Sequence, residues 1–230
     1  MRNGCYTFRA LSTVERDFDR LALFDQQGWT ANNHYHESLL THVPLECAHA
    51  LEIGCGTGAF SRRLAQRARQ VTAIDLSSEM IRVARARSAA FPSIDFQIDD
   101  IVTRALPEAE FDCIASIATL HHVPAREVLL KISKALKPGG ILIVLDLFEP
   151  QGLQDAILNV LAMGTSCSLR LLHNGRLRPP REVRAAWEAH GKTDRYLTMD
   201  EARSLYGSLF CGVMLRKRLL WRYSAIWKKF

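Results

Sequence analysis

Between residues 50 and 148 the chain repeats one pattern: a short apolar run, a segment of helical period, then another apolar run. A parallel sheet with helical crossovers accommodates that order. Parallel neighbours need a long connection, and a sheet covered on both faces makes its strands apolar throughout. The spacing predicts strands at 48–53, 71–76, 94–98, 111–117 and 141–147. Helices are expected at 59–68, with Phe60, Leu64, Ala65 and Ala68 inward, and after Ser77, which suits an N-cap, with Met80, Val83 and Ala84 inward. A third helix is expected over 126–136, on the stripe Val128, Ile132, Ala135 and Leu136, ended by Pro138-Gly139-Gly140. The crossovers should be right-handed.

The later part of the chain has a different rhythm. Helices are expected at 153–163 and 181–189, separated by a basic, proline-containing segment at 173–180, and another at 199–209. Strands at 211–219 and 221–227 are expected to pair antiparallel at the sheet edge. From Val213 to Trp221 the odd positions are mostly apolar and the even ones hold Arg216 and Arg218, so one face should lie on the core and the other in water. The expected fold class is α/β, a doubly wound sheet of seven strands, mostly parallel with a C-terminal antiparallel hairpin. One domain over 1–230 is the simplest organisation, with a cap at 1–45, a core at 46–148, a helical insertion at 149–198 and a last helix and strands at 199–230.

Composition removes several classes. With 230 residues, 48% apolar and 23% charged, the chain can bury a core, which argues against disorder. The most strongly apolar run, 141–148, is interrupted by Asp146 and is too short for a membrane span. The N-terminus turns charged before any apolar region develops, so a cytoplasmic location is expected. Six cysteines without Cys-x-x-Cys or zinc-type spacing point to reduced thiols and no metal. The net charge of +6 resides in residues 181–230, with eleven Lys/Arg against five Asp/Glu. A basic surface of this kind suits an anionic partner, and leaves a weak contact with an anionic membrane open, but Arg216-Lys217-Arg218 in a strand pattern is better read as edge protection.

The segment Leu51-Glu52-Ile53-Gly54-Cys55-Gly56-Thr57-Gly58 closes a strand and opens a helix. Glycines there let a ligand approach the backbone, and Asp75 closes the next strand where a carboxylate accepts ribose hydroxyls. These features alone also fit an NAD-dependent oxidoreductase. The set is wider, however: Glu52, the G-x-G-x-G spacing, Asp75-Leu76-Ser77 with Met80, Asp99-Asp100-Ile101, Ser116 to His122, and Leu136-Lys137-Pro138-Gly139-Gly140. In order and spacing it resembles the class I S-adenosylmethionine-dependent methyltransferases, in the small-molecule branch that includes quinone-biosynthesis enzymes. No Tyr-x-x-x-Lys pair of a dehydrogenase is visible.

The resemblance implies a Rossmann-like core and transfer of a methyl group from S-adenosylmethionine to a small-molecule acceptor, leaving S-adenosylhomocysteine. It implies that Gly54, Gly56 and Gly58 surround the methionine portion and ribose, that Glu52 supports this loop and the amino group, and that Asp75 holds the ribose. It implies that Asp100, or Asp99, accepts from the adenine amino group between Leu76 and Ile101, with Met80, Ser116 and Tyr35 completing the cofactor site. Asp75 and Asp100 are equally residues that form strand-end Asx turns. His121 and His122 follow strand four, where an imidazole titrating near neutrality suits a general base. The absence of an Asn/Asp-Pro-Pro-aromatic sequence argues against a nucleic-acid substrate, and no magnesium-binding set is apparent. Trp29, Asn33, Tyr35 and His36 are candidates for closing the site, and Trp187, His190 and Asp194 for its acceptor side. The runner-up is a non-catalytic protein that meets membranes through its basic, aromatic C-terminus.

Overall fold

A computed structural model describes residues 11–24, 28–191 and 194–230. The helices are α1 (Leu11–Ala22), α2 (His36–Leu40), α3 (Ser61–Leu64), α4 (Ser78–Arg87), α5 (Ala125–Ala135), α6 (Gly152–Asn174), α7 (Arg181–Gly191) and α8 (Met199–Leu209). The strands are β1 (Cys47–Ile53), β2 (Ala68–Asp75), β3 (Ile94–Ile98), β4 (Phe111–Ile117), β5 (Leu136–Leu147), β6 (Met214–Arg218) and β7 (Arg222–Lys228). They form one seven-stranded sheet in the order β3-β2-β1-β4-β5-β7-β6. The first five are parallel, and β7 runs antiparallel to both β5 and β6. The order reverses between β1 and β4, so a crevice opens at the carboxyl ends of these strands.

Both faces of the sheet are covered, which is why its strands are apolar at nearly every position. On one face Ala50, Val71 and Leu145 pack with Leu39, Phe60, Leu64 and Ile81. On the other, Leu51, Ile114 and Val144 pack with Leu129, Ile132, Tyr206 and Phe210.

The expected elements are present, with three boundary corrections. The helix expected over 59–68 is a single turn, α3, because Ala68 is already paired with Cys47 at the start of β2. Strand β5 begins at Leu136, not at 141. Pro138-Gly139-Gly140 forms an irregularity within it: Gly139 takes φ +80°, and its N–H donates to Lys229 O. Residues 175–180 separate α6 from α7, close to the expected 173–180, and α6 itself is one helix of 23 residues that runs past 163 to Asn174. It is long and apolar enough to cross a membrane, which corrects the expectation that 141–148 was the longest relevant run. The uncharged stretch from Ala156 to Leu169 escapes notice in sequence because Asn, Gly, Thr and Ser interrupt it.

The C-terminal hairpin also differs in detail. Lys217, on the nominally apolar side of β6, pairs with Asp155 of α6, and Arg218 donates to Ser224 Oγ at 3.0 Å. Leu220 and Trp221 both adopt left-handed φ, at 61° and 59°, which brings Leu220 into full burial and ends the alternation. That strain, about 1–3 kcal/mol per residue, persists where surrounding contacts over-determine it. Here Tyr35 Oη donates to Leu219 O and Trp221 Nε1 to Asn159 Oδ1 at 2.7 Å.

Candidate active site

The turn after β1 is shaped for a ligand. Gly54, Gly56 and Gly58 all have positive φ, and a Cβ built on Gly56 meets nothing within 4 Å, whereas one on Gly54 would lie 2.0 Å from Thr119 Oγ1. Gly56 therefore faces open space at the mouth of the crevice, and Gly54 is locked against the loop after β4. The N–H of Gly56 donates to Asp75 Oδ2 at 2.7 Å, and Ser77 N–H donates to Oδ1 at 2.9 Å. Asp75 thus makes the Asx turn expected of a strand end and also fixes the glycine loop. Burial pushes its carboxyl above the usual range, partly offset by these N–H groups.

Glu52 is buried and accepts from Ser61 Oγ at the start of α3. Loss of hydration pushes its pKa up to about 8, and the serine opposes the shift only in part. The bond ties the end of β1 to the start of α3, on either side of the glycine turn. At the third strand end, Asp100 accepts from Val102 N–H at 2.9 Å, an Asx turn, and Asp99 pairs with Arg104. Ile101 packs in the core below them, while Leu76 stays half-buried. Ser116 is wholly buried in β4 with an unpartnered Oγ, one of two such side-chain atoms among the described residues.

The N-terminal segment reaches this end of the sheet. Asp19 of α1 accepts from Ser77 Oγ at 2.6 Å and from Glu79 N–H at 3.2 Å, at the N-terminus of α4. Met80 is buried against Leu21, Ala22 and Ala186. Tyr35 is anchored at the β6–β7 turn through its hydroxyl and packs in the same core cluster as Cys55 and Phe60. His36 packs on Phe60, and Trp29 is tied to Asn174 through its backbone.

Beyond β4 the backbone turns at Ala118, whose φ is 53°, and Thr119 meets Gly54 before the 3-10 turn Leu120–His122. His121 Nδ1 lies 2.6 Å from Asp146 Oδ1, with both side chains almost inaccessible. The His122 ring is 3.9 Å from that of His121, and its Nδ1 is 3.6 Å from Asp194 Oδ1. Asp194 also meets His190 Nε2 at 3.4 Å and accepts from Tyr196 Oη at 3.2 Å, while His190 Nδ1 reaches Asp17 at 3.2 Å. Donor atoms of His121, His122 and Asp194 lie within 4.8 Å of one another, close enough to share a proton or a small cation. Arg222, buried between Asp146, Tyr35 and Tyr196, donates to Asn32 Oδ1 at 2.8 Å.

The structure joins His121 and His122 to His190 and Asp194, the sequence-based candidates for the acceptor side. Sequence reasoning missed Asp146, Tyr196 and Arg222. The one available signal was an acid inside the apolar run 141–148.

The residues at the crevice fit a nucleoside sulfonium cofactor: an open glycine cradle at Gly56, a half-buried carboxylate at Asp75 and a further one at Asp100. Residues 51–144 match the family described as "Methyltransferase domain". An uncharacterized methyltransferase of Mycobacterium tuberculosis is 33% identical over 205 residues, which span 88% of this chain and 98% of that protein. A ubiquinone biosynthesis O-methyltransferase of Xylella fastidiosa is 40% identical over 105 residues, covering 44% of this chain and 43% of its own length. Among solved structures, the N-methyltransferase NodS of Bradyrhizobium japonicum in complex with S-adenosyl-L-homocysteine shares the fold. It matches with a TM-score of 0.57 at 18% identity over 94% of this chain and 97% of NodS.

Proposed function

The chain belongs to the S-adenosylmethionine-dependent methyltransferases of small-molecule type, and from that premise we propose that it methylates a hydroxyl group, with His121 removing the proton. When bound, S-adenosylmethionine supplies an activated methyl group that the acceptor displaces in line, leaving S-adenosylhomocysteine. Gly54, Gly56 and Gly58 would hold its methionine end, Asp75 the ribose and Asp100 the adenine amino group. The observation that carries the reading is the buried His121–Asp146 pair two residues from the Gly54 contact.

A neutral hydroxyl is a poor nucleophile unless its proton has somewhere to go. His121 Nδ1–H donates to Asp146, which fixes the tautomer and leaves Nε2 as the basic atom facing away from the carboxylate. Asp146 then stabilises the imidazolium that forms. His122, held by Asp194, flanks the base and positions it. Phe18 of α1 packs against the rings of His122 and His190, which keeps water from that side of the network. The Xylella relative, an O-methyltransferase by name, supports the choice of oxygen.

The test is methyl transfer to a panel of phenols, catechols, amines and carbon acids, with product mass measured. His121→Gln should lower kcat on the accepted hydroxyl by about a hundredfold or more while cofactor affinity stays at the parent level. Turnover of amines alone, or full activity in the variant, would overturn the assignment.

A further inference from the structure

Helix α6 is amphipathic in the wrong sense for a helix facing water. Its inner side carries bonded polar groups beside a few apolar contacts: Asp155 pairs with Lys217, Asn159 accepts from Trp221 Nε1, and Asn174 bonds both N–H and C=O of Trp29, while Ala162 is buried and Leu169 packs on the core. Its outer side carries Leu153, Ile157, Val160, Leu161, Leu171 and Leu172, each more than half exposed, with Met163 between them. Only 11% of its most apolar stretch is buried. A surface helix ordinarily turns its apolar stripe inward, and a contiguous exposed patch of this kind marks a contact surface.

We propose that the outer face of α6 docks the protein onto an anionic lipid bilayer, with the helix lying in the plane of the interface. The polar inner side sets the orientation. Passage of the helix through a bilayer would tear Asp155, Asn159 and Asn174 from their partners and leave them in hydrocarbon, whereas lying flat buries the leucines and keeps every one of those bonds.

Charge selects the occupant. The segment that continues directly from α6 holds Arg176, Arg178, Arg181 and Arg184, all exposed, against the single acid Glu182. Headgroups of an anionic leaflet pair with such a cluster. A second copy of this chain offers no match, because the one acid of α6 between Leu153 and Leu172 is Asp155, which is turned inward and paired. The C-terminal aromatic residues, the sequence-based candidates for membrane contact, are otherwise employed. Trp227 stacks on Phe210 at 4.4 Å and Trp221 bonds to Asn159. The docking surface is therefore α6 and the arginines after it. A cavity of about 260 Å³ lies between α6 and the β6–β7 turn, with apolar walls from Phe148, Leu158, Ala162 and Leu219 and polar ones from Asp155, Asn159, Lys217 and Arg218.

The experiment is flotation of the whole protein with vesicles of phosphatidylcholine alone or mixed with phosphatidylglycerol, at low and high salt. The parent should float with the mixed vesicles, and less at high salt because exposed charges are screened. Ile157→Glu with Leu161→Glu should reduce binding by at least about tenfold, and Arg178→Gln with Arg181→Gln by about tenfold with the salt dependence weakened. Both should keep the parent's melting temperature, and the glutamate pair should also keep its cofactor affinity, whereas Arg178 lines a pocket with Met80 and Trp29, so Arg181→Gln alone is the charge variant that should leave cofactor affinity unchanged. Leu172→Glu provides a second, single-site check on the apolar face. The proposal fails if the parent ignores mixed vesicles, if the glutamate variants float as well as the parent, or if the parent is a dimer in solution that these glutamates convert to a monomer.

Discussion

His121 Nδ1 and Asp146 Oδ1 stand 2.6 Å apart in a nearly solvent-free position, one at the turn after β4 and the other near the end of β5. Two adjacent strands therefore fix the imidazole from opposite sides. Asp146→Asn keeps the shape but replaces the acceptor for Nδ1–H with a group that can also donate, so the ring loses its fixed tautomer. Turnover should fall by about a hundredfold or more, and the cofactor Kd, measured by calorimetry, should stay the same. Asp146→Glu should recover part of the loss. Equal loss of kcat and of cofactor affinity would mean that Asp146 only supports the fold.

The glycines of the loop make separable contributions. Ala at position 54 would place a Cβ 2.0 Å from Thr119 Oγ1 and 2.7 Å from Thr119 Cβ, in a backbone of φ +71°. That variant should melt well below the parent. Ala at position 56 meets no protein atom and bears only the left-handed penalty, roughly 1–2 kcal/mol. It should fold and lose cofactor binding, because the methyl occupies the cradle. Thermal melting and titration with S-adenosylmethionine distinguish the two, and equal melting temperatures would contradict the locked position assigned to Gly54.

Two buried groups predict how stability depends on pH. Glu52 keeps its proton in the fold up to about pH 8, while the unfolded chain releases it near 4.5. Between those values the native state binds the extra proton, so its contribution to stability falls as pH rises. His36 is pushed down to about 4 by burial first and then by Arg63 and Arg62, so the unfolded chain takes up a proton that the native state refuses. Its contribution is lost as pH falls from 6.5 to 4. The two slopes oppose one another from 4.5 to 6.5, and Glu52 acts alone from 6.5 to 8. Glu52→Gln should flatten the melting temperature over that upper window, where the parent declines.

The network around Asp194 is built from protein partners. His122, His190 and Tyr196 together occupy both carboxylate oxygens. Dialysis against a chelator should therefore leave the rate of methyl transfer unchanged, and added zinc should inhibit by competing for His121 and His122. Restoration of a chelated, inactive enzyme by a divalent cation would replace the proton network with a metal site.

Much of this arrangement was legible from sequence because local rules and tertiary position agree. Ser77 caps α4 by accepting from Met80 N–H, and the glycine turn sits where a strand meets the crevice. Asp75 and Asp100 close their strands in the Asx turns their residue type favours. What sequence could not give depends on distant pairing. Asp146 reads as a flaw in an apolar run until β4 brings His121 beside it. Asp194 is 72 or more positions from either histidine of the 3-10 turn, and only the return of the chain after α7 makes them neighbours. The helix expected at 153–163 runs on to Asn174, because Asp155, Asn159 and Asn174 are held by partners distant in sequence.

The last prediction concerns the C-terminal hairpin. Strand β7 is an interior strand, bonded to β5 from Ile141↔Lys228 to Leu147↔Arg222 and to β6 on its other side. Tyr223, Ser224 and Ala225 are buried within it, and Trp227 covers Phe210. Removing residues 219–230 exposes the backbone edge of β5 and forfeits roughly 1.5–3 kcal/mol for each large apolar side chain lost, against a total stability of about 5–15 kcal/mol. The truncated chain should be insoluble or unfolded by circular dichroism. Trp227→Ala, which leaves the strand in place, should fold with a lowered melting temperature and should bind anionic vesicles as the parent does. A truncated protein that stayed folded, bound S-adenosylmethionine normally and lost only its vesicle binding would move the membrane contact from α6 to the C-terminus.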